Sequence, residues 1–381
     1  MDTSKLTDAL VRAAVESIYK QYNDTRLITS LDEADIGQVP AIPTGSIWLD
    51  DALGIGGIPQ GRITLISGEA STGKSTLCLS IIKESQELFP DKLNLYVDME
   101  AGAFTDDYAY AIGVDLDKNK FMVVKPEYAE QGMEVILRMI STGRVAVCVW
   151  DSVAGMYTKE AAEKSPEENE SMAGVARLLS ENLRKLASKC GKTGTSLVLV
   201  NQIRTAMSRN MTWNDIPGGK AQKFYASVHI DLSTVKIKDF SGKVDRATIE
   251  AKILKNKVAH PFRGANFDIE FGQGILREGN VLDLGAIKSI IKVSSNGWTF
   301  FKDVETGEEI AKARSRDEAI TWLQENPDYV NAVEKKILGY MRDTKYEPEP
   351  LTSSDIADST SLRVEPIEEY IERQMEIASG Q

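Results

Sequence analysis

Histidine and cysteine are scarce in this sequence, with two and three residues among 381. His229 and His260 are too few and too far apart to build a metal cluster. Cys78, Cys148 and Cys190 show no C-x-x-C spacing, and two of them lie in apolar or helical patterns. They read as buried or semi-buried free thiols of a reducing compartment. No apolar run approaches the roughly 18 residues of a membrane helix, and no signal-peptide pattern opens the chain. The expectation is a soluble, cytoplasmic protein with no membrane partner. An excess of positive charge is also lacking: 45 Lys and Arg stand against 57 Asp and Glu, a net charge of −12. That excludes a uniformly basic surface but leaves room for a local basic stripe. There is no convincing internal repeat.

Hydrophobic residues make up 42% of the chain, enough for one large domain with smaller appendages. Residues 5–22 carry apolar side chains at Leu6, Leu10, Ala13, Val15 and Ile18, the spacing of an amphipathic helix. A polar segment with Pro40 and Pro43 tethers it. Docking on a neighbouring copy and packing on its own domain both remain open. ITLIS (63–67), LNLYVDM (93–99), VAVCVWD (145–151) and SLVLVNQ (196–202) are short apolar runs rich in β-branched residues, as in parallel strands covered on both faces. Helical patterns at 74–88, about 128–141 and about 171–190 alternate with them, which predicts a doubly wound α/β domain. From 224 to 271 the alternation lacks long helices and predicts antiparallel strands extending the sheet. Residues 276–342 mix helices with the strand-like NGWTFFKD and GEEI. After about residue 346 there are nine acids against Arg363 and Arg373, a composition that favours a disordered tail with a short helix at 366–377. The expected organisation is an N-terminal helix and linker for oligomerisation (1–44), a core (45–275), a small α+β domain (276–345) and an acidic tail (346–381).

The stretch GEASTGKST (68–76) fits G-x-x-x-x-G-K-[ST] between a strand and a helix, the two contexts a P-loop requires. Gly68 and Gly73 let backbone N–H groups turn inward around phosphate oxygens. The following helix adds the positive end of its dipole. Lys74 supplies a charge for the β- and γ-phosphates, and the Ser75 hydroxyl is placed for Mg2+. A plain Gly/Ser turn is the bland alternative, which the full match in full context disfavours. Asp151 closes an apolar strand at the Walker B position, bonding Mg2+ directly or through water. LNLYVDME ends in Asp98 and Glu100, and Glu100 lies where a carboxylate can polarise an attacking water. SLVLVNQI presents Asn201 and Gln202, neutral amides placed to sense the γ-phosphate. Any one such acid alone is more often a turn residue. Four strands delivering polar groups to their carboxyl ends mark the edge where open α/β sheets bind ligands.

Several runs share order and spacing with one family: PTGSIWLDDAL, GIGGIPQGRITLISGEASTGKST, VWDSVAG, LVNQIR (199–204), GGKAQKFYASVHIDL (218–232), LKNKVAHPF (254–262), VLDLG (281–285) and ITWLQENP (320–327). Together they resemble the RecA family of bacterial DNA recombinases over about residues 5–340. The P-loop is generic; LKNKVAHPF is far more specific, as is the pair LVNQIR and GGKAQKFYAS, with Gln202 and Gly218 sixteen residues apart. Phage recombinases of the UvsX type are relatives, and the departures noted below suit a phage-borne member.

The resemblance implies a RecA-like P-loop NTPase core that uses ATP and Mg2+. It implies a filament on single-stranded DNA that pairs with homologous double-stranded DNA and exchanges strands, with DNA-stimulated hydrolysis. Single-strand-binding or loading proteins would be further partners. By the same resemblance Gly68, Glu69, Ala70, Ser71, Thr72, Gly73, Lys74, Ser75 and Thr76 hold the ATP phosphates. Glu100 matches the catalytic glutamate, Asp151 the Walker B aspartate, and Tyr108 the adenine-stacking tyrosine. Gln202 matches the link from the γ-phosphate to a DNA-binding loop. Lys255 and Lys257 match lysines that reach the ATP of the adjacent subunit, and Lys223 and Phe224 match interface positions. On its own, KNK is an ordinary solvated patch; a cation reaching a neighbour's phosphates would act as an arginine finger does.

Residues 158–174 and 204–219 are polar and are expected to be mobile DNA-binding loops, since long structureless loops in a compact domain are usually functional. The second carries Arg204, Arg209, Met211 and Trp213 and ends in Gly218 and Gly219. Cations for phosphates with apolar wedges between bases suit single-stranded DNA. Arg177 and Arg184, two turns apart on the following helix, match backbone-contacting positions, although alone they are ordinary surface arginines. The departures are five glutamates and no glycine before Gly174 in the first segment, a second segment one residue short, and His229 where arginine is common. A ring-forming helicase or DNA-remodelling ATPase on the same fold is the main rival. A non-catalytic filament mediator is the other, and the intact Lys74, Glu100, Asp151 and Gln202 argue against it.

Overall fold

Parallel strands of unbroken apolar sequence need cover on both faces, and this fold provides it. The computed structural model describes residues 8–22, 28, 39–100, 102, 104–163, 173–208, 211–240 and 243–339. The chain divides into two units, Met1–Gln38 with Pro350–Gln381, and Val39–Glu349. In the first lies helix α1 (Ala9–Tyr22), opened by Asp8, whose Oδ1 accepts from the Leu10 and Val11 amides. Val15 is buried, while Leu10 is 83% exposed. The expected acidic tail, its helix at 366–377 and linker residues 29–38 lie outside the described residues.

The second unit begins with β1 (Ala41–Ile42), α2 (Ile47–Leu53) and β2 (Ile58–Pro59), with β1 paired to β2. Then come β3 (Ile63–Gly68), α3 (Lys74–Leu88), β4 (Leu93–Asp98), α4 (Asp106–Ile112), β5 (Phe121–Val124), α5 (Ala129–Ser141) and β6 (Val145–Asp151). After these follow α6 (Lys159–Glu163), α7 (Ala173–Thr193), β7 (Ser196–Gln202), β8 (Arg204–Ser208), β9 (Met211–Asp215) and α8 (Ala221–Tyr225). The antiparallel part is β10 (Val228–Phe240), β11 (Lys243–Asn256), β12 (Gly264–Glu270) and β13 (Gly274–Ile275). Among the described residues nine strands form one sheet in the order β13-β12-β11-β10-β3-β7-β6-β4-β5, parallel from β10 to β5 and antiparallel beyond β10. The doubly wound α/β reading with an antiparallel extension therefore holds. Short β5 and α4 were not foreseen.

Alternation along the strands sorts side chains into two cores. Ile66, Val147, Val149, Val198 and Val200 join the layer under α3, with Leu77, Ile81 and Ile82. Leu65, Cys148, Trp150, Leu197 and Leu199 join the opposite layer, with Ile136 of α5 and Leu179 and Leu183 of α7. All three cysteines are buried free thiols, and burial pushes each thiol up, Cys190 to about 12. Among the described residues no helix is long and apolar enough to cross a membrane.

The remaining elements are α9 (Arg277–Ile287), β14 (Lys292–Val293), β15 (Thr299–Lys302), β16 (Glu309–Ala313), α10 (Arg316–Glu325) and α11 (Pro327–Leu338). They surround their own apolar cluster, with Phe301 stacked on Trp322 at 4.1 Å. Ile47 of α2 also enters that cluster, and Arg316 pairs with Asp268 of β12 at 3.1 Å.

Two expectations need correction. Residues 204–219 are not a structureless loop: β8 and β9 pair as an antiparallel hairpin, from Arg204↔Asp215 to Ser208↔Met211. RTAMS and MTWND each hold β-formers, Thr205 in the first and Thr212 and Trp213 in the second, which suits two short strands. The first segment, 158–174, contains helix α6 and the start of α7; residues 164–172 lie outside the described residues.

Candidate functional site

Strand register brings the polar groups together. Gly68 pairs with Gln202 across β3 and β7, and Asp98 pairs with Asp151 across β4 and β6. The carboxyl ends of four parallel strands are thus level along one edge of the sheet, where helix α3 begins. Gly73 precedes that helix at φ 78°, in the left-handed region that favours glycine, and a Cβ there would come within 2.3 Å of Ile269 Cδ1.

Glu69, Ala70 and Ser71 form the exposed crest of the loop, while Lys74 is 7% exposed. Its ammonium donates to the carbonyl of Gly68 at 3.1 Å and to that of Glu69, lying inside the loop. Burial lowers its pKa, and the charges of Asp151 and Glu100 pull it back up. The loop can therefore hold a buried cation beside its own backbone, as recognition of a multiply charged phosphate demands.

Ser75 Oγ donates to Asp151 Oδ2 at 2.7 Å, and the phenol of Tyr96 donates to the same oxygen at 2.5 Å. Asp151 is 3% exposed. Burial raises its pKa, opposed by those two hydrogen bonds. A hydroxyl beside a carboxylate is an all-oxygen donor set that suits a hard divalent cation sharing its ligands with phosphate. Two side-chain oxygens fill only part of the roughly six positions such a cation prefers, and phosphate oxygens and water suit the rest.

Glu100 lies just past β4. Its Oε1 accepts from Gln202 Nε2 at 2.8 Å and from the Ser152 hydroxyl. Asp98 holds the turn beyond the strand by accepting from the Glu100 amide at 3.1 Å. Asn201 departs from expectation. It is fully buried, and its amide donates to Pro217 O at 2.8 Å and to Gln222 Oε1 at 2.9 Å. Successive strand residues face opposite sides, so Gln202 meets Glu100 while Asn201 anchors the chain after the hairpin. Tyr108 is half-buried, and its hydroxyl shares a hydrogen bond with Thr76 Oγ1 at 2.7 Å, beside the first turn of α3.

Arg177 and Arg184 are both exposed on α7, and Arg177 pairs with Glu181 at 2.9 Å. Arg204, Met211 and Trp213 fall on the strands of the hairpin, and Arg209 lies outside the described residues. Gly218 and Gly219 have φ of 85° and 78°; a Cβ on Gly218 would come within 2.6 Å of Val153 Cγ1, and one on Gly219 within 3.0 Å of Ala176. Close packing against α7 is thus one reason for this pair.

A separate patch gathers the remaining cations. Lys255 Nζ donates to the carbonyls of Lys223 at 2.6 Å and Phe224 at 2.9 Å, and Lys257 lies over the Phe224 ring at 6.0 Å. Phe224 is 70% exposed. His229 is buried beneath this patch, with Nε2 2.8 Å from Ser67 Oγ; burial, Lys223 and Lys255 push its pKa down to about 4. Sequence reasoning missed Tyr96, Ser152 and Ser67, because each acts through strands that are neighbours only in space.

The RecA N-terminal domain family matches residues 9–276. The protein RecA of Nautilia profundicola is 39% identical over 342 residues, 88% of this chain and 92% of that one. The protein RecA of Symbiobacterium thermophilum is 37% identical over 328 residues, 85% of this chain and 90% of the other. A crystal structure of the RadB recombinase overlaps with a TM-score of 0.47 at 24% identity, covering 61% of this chain and 98% of that one. With its P-loop, strand-end acids and sheet order in place, the chain belongs to the RecA family of ATP-dependent DNA recombinases.

Proposed function

We propose that the site binds ATP with Mg2+ and couples its hydrolysis to a filament on single-stranded DNA that pairs with homologous duplex. The observation that carries this reading is the hydrogen bond from Gln202 to Glu100. One amide joins the carboxylate suited to polarise water to the residue two before the β8–β9 hairpin, so nucleotide state and hairpin are adjacent in space. In this reading Gly68–Thr76 hold the phosphates, Lys74 balances their charge, and Ser75 and Asp151 hold Mg2+, which supplies charge neutralisation between them. Glu100 takes the proton of the attacking water, and Tyr108 stacks on the adenine.

Arg177, Arg184, Arg204, Arg209, Met211, Trp213, Gly218 and Gly219 are proposed as the DNA surface. Lys223, Phe224, Lys255 and Lys257 form the face toward the next subunit, with the two last lysines reaching its nucleotide. The exposed aromatic ring among cations supports an interface there. The expected division at 1–44, 45–275, 276–345 and 346–381, a cytoplasmic location and assistance by single-strand-binding or loading proteins belong to the same proposal.

Incubation of a labelled single strand with homologous duplex, ATP and Mg2+ tests this reading. Joint molecules with homologous but not heterologous duplex are expected, and their absence alongside active hydrolysis would overturn it. The double substitution Lys255→Ala and Lys257→Ala is expected to leave nucleotide binding to the isolated subunit intact. It should cut DNA-stimulated hydrolysis by about 10³-fold, the scale of a cation supplied in trans. Full turnover by the double variant would remove these lysines from the mechanism.

A further inference from the structure

Tyr96 lies inside LNLYVDME without a role of its own there, yet among the described residues its phenol joins Ser75 Oγ as a side-chain donor to the Asp151 carboxylate. It sits on β4 opposite Val149 of β6, two residues before the level of Asp151. The ring is fully buried and tilted against Phe104 at 5.2 Å, which in turn meets Phe121 at 5.6 Å. This aromatic ladder fixes where the phenol oxygen lies. Both donors, Tyr96 OH and Ser75 Oγ, fall on the same oxygen, Oδ2.

We infer that Tyr96 is a positioning residue for the cation that the proposed function places at Ser75 and Asp151, and the inference rests on that reading. The terminal torsion of an aspartate is broad, so a carboxylate held by one donor can swing. A second donor on a rigid ring pins Oδ2 and leaves Oδ1 in a single orientation for the cation or for a water bound to it. Partners one shell beyond the ligands set ligand orientation, and their loss weakens metal binding. The plain alternative is a core tyrosine that found an acceptor for its hydroxyl. The two readings separate when the oxygen alone is removed: a core role changes stability, whereas a positioning role changes the need for Mg2+.

The test uses the full chain and a fluorescent ATP analogue, with binding read as Mg2+ is titrated. Tyr96→Phe keeps the ring contacts and is expected to bind the analogue in EDTA as the wild type does. Its Mg2+ midpoint should rise about tenfold. Phe104→Leu, which loosens the ring but keeps the phenol, should raise the midpoint by a smaller factor and serves if Tyr96→Phe does not fold. An unchanged midpoint in folded Tyr96→Phe would overturn the role of Tyr96. A lowered midpoint would overturn it too, by showing that the phenol competes with the cation. Wild-type binding that ignores Mg2+ altogether would overturn the cation site and this inference together.

Discussion

Lys74→Ala is expected to abolish ATP-supported binding to single-stranded DNA, a loss of at least about 100-fold when anisotropy of a labelled strand is followed with and without ATP. The ammonium lies inside the loop, 7% exposed, bonded to the Gly68 and Glu69 carbonyls. Burial disfavours its charge, and the nearby carboxylates of Asp151 and Glu100 sustain it. A triphosphate entering this loop brings several negative charges next to those same carboxylates. Without the cation, ligand and protein would present charges of one sign in a poorly hydrated cleft, and neither would be compensated. Truncation removes contacts that the ammonium makes within its own loop, to the Gly68 and Glu69 carbonyls and the Thr72 hydroxyl, so the fold should survive. A Lys74→Ala chain that binds DNA normally in response to ATP would show that the loop is not the switch.

Glu100→Gln should behave differently. The amide keeps a carbonyl oxygen able to accept from Gln202 and Ser152, so the hydrogen bonds around the side chain persist. What disappears is the capacity to take a proton from water. Turnover is expected to fall by about 10² to 10⁴, the usual contribution of a positioned general base. ATP-supported DNA binding is retained, and the complexes last longer because the step that dissolves them is slowed. The measurement is single-turnover hydrolysis alongside the dissociation rate of labelled DNA. An unaltered turnover rate would exclude Glu100 as the base.

Much of this arrangement was legible in the amino-acid order, and the exceptions have physical causes. ITLIS, VAVCVWD and SLVLVNQ are apolar on both faces and could be little other than central strands. GEASTGKST needed only its neighbours on either side to be placed. FMVV, by contrast, makes a strand of four residues, Phe121–Val124, too short for periodicity to register. The β8–β9 hairpin was hidden because RTAMSRNMTWND is polar enough to pass for a loop, and the pairing of its two strands is not visible in so short a pattern. Asn201 could have been separated from Gln202 beforehand, since adjacent strand residues point to opposite sides. Tyr96 could not have been found: it lies 55 positions from Asp151 and reaches it only because β4 and β6 are neighbours. Contacts of that kind come from sheet order, which a local pattern does not specify.

The central claim is that this nucleotide site is controlled by DNA through assembly. ATP turnover measured with and without single-stranded DNA, with electron microscopy of the same samples, tests it most directly. The account predicts turnover stimulated by DNA and open helical filaments in the stimulated sample. Stimulated turnover on closed rings would contradict it in favour of a ring-forming motor, and turnover indifferent to DNA, without filaments, would contradict the coupling itself.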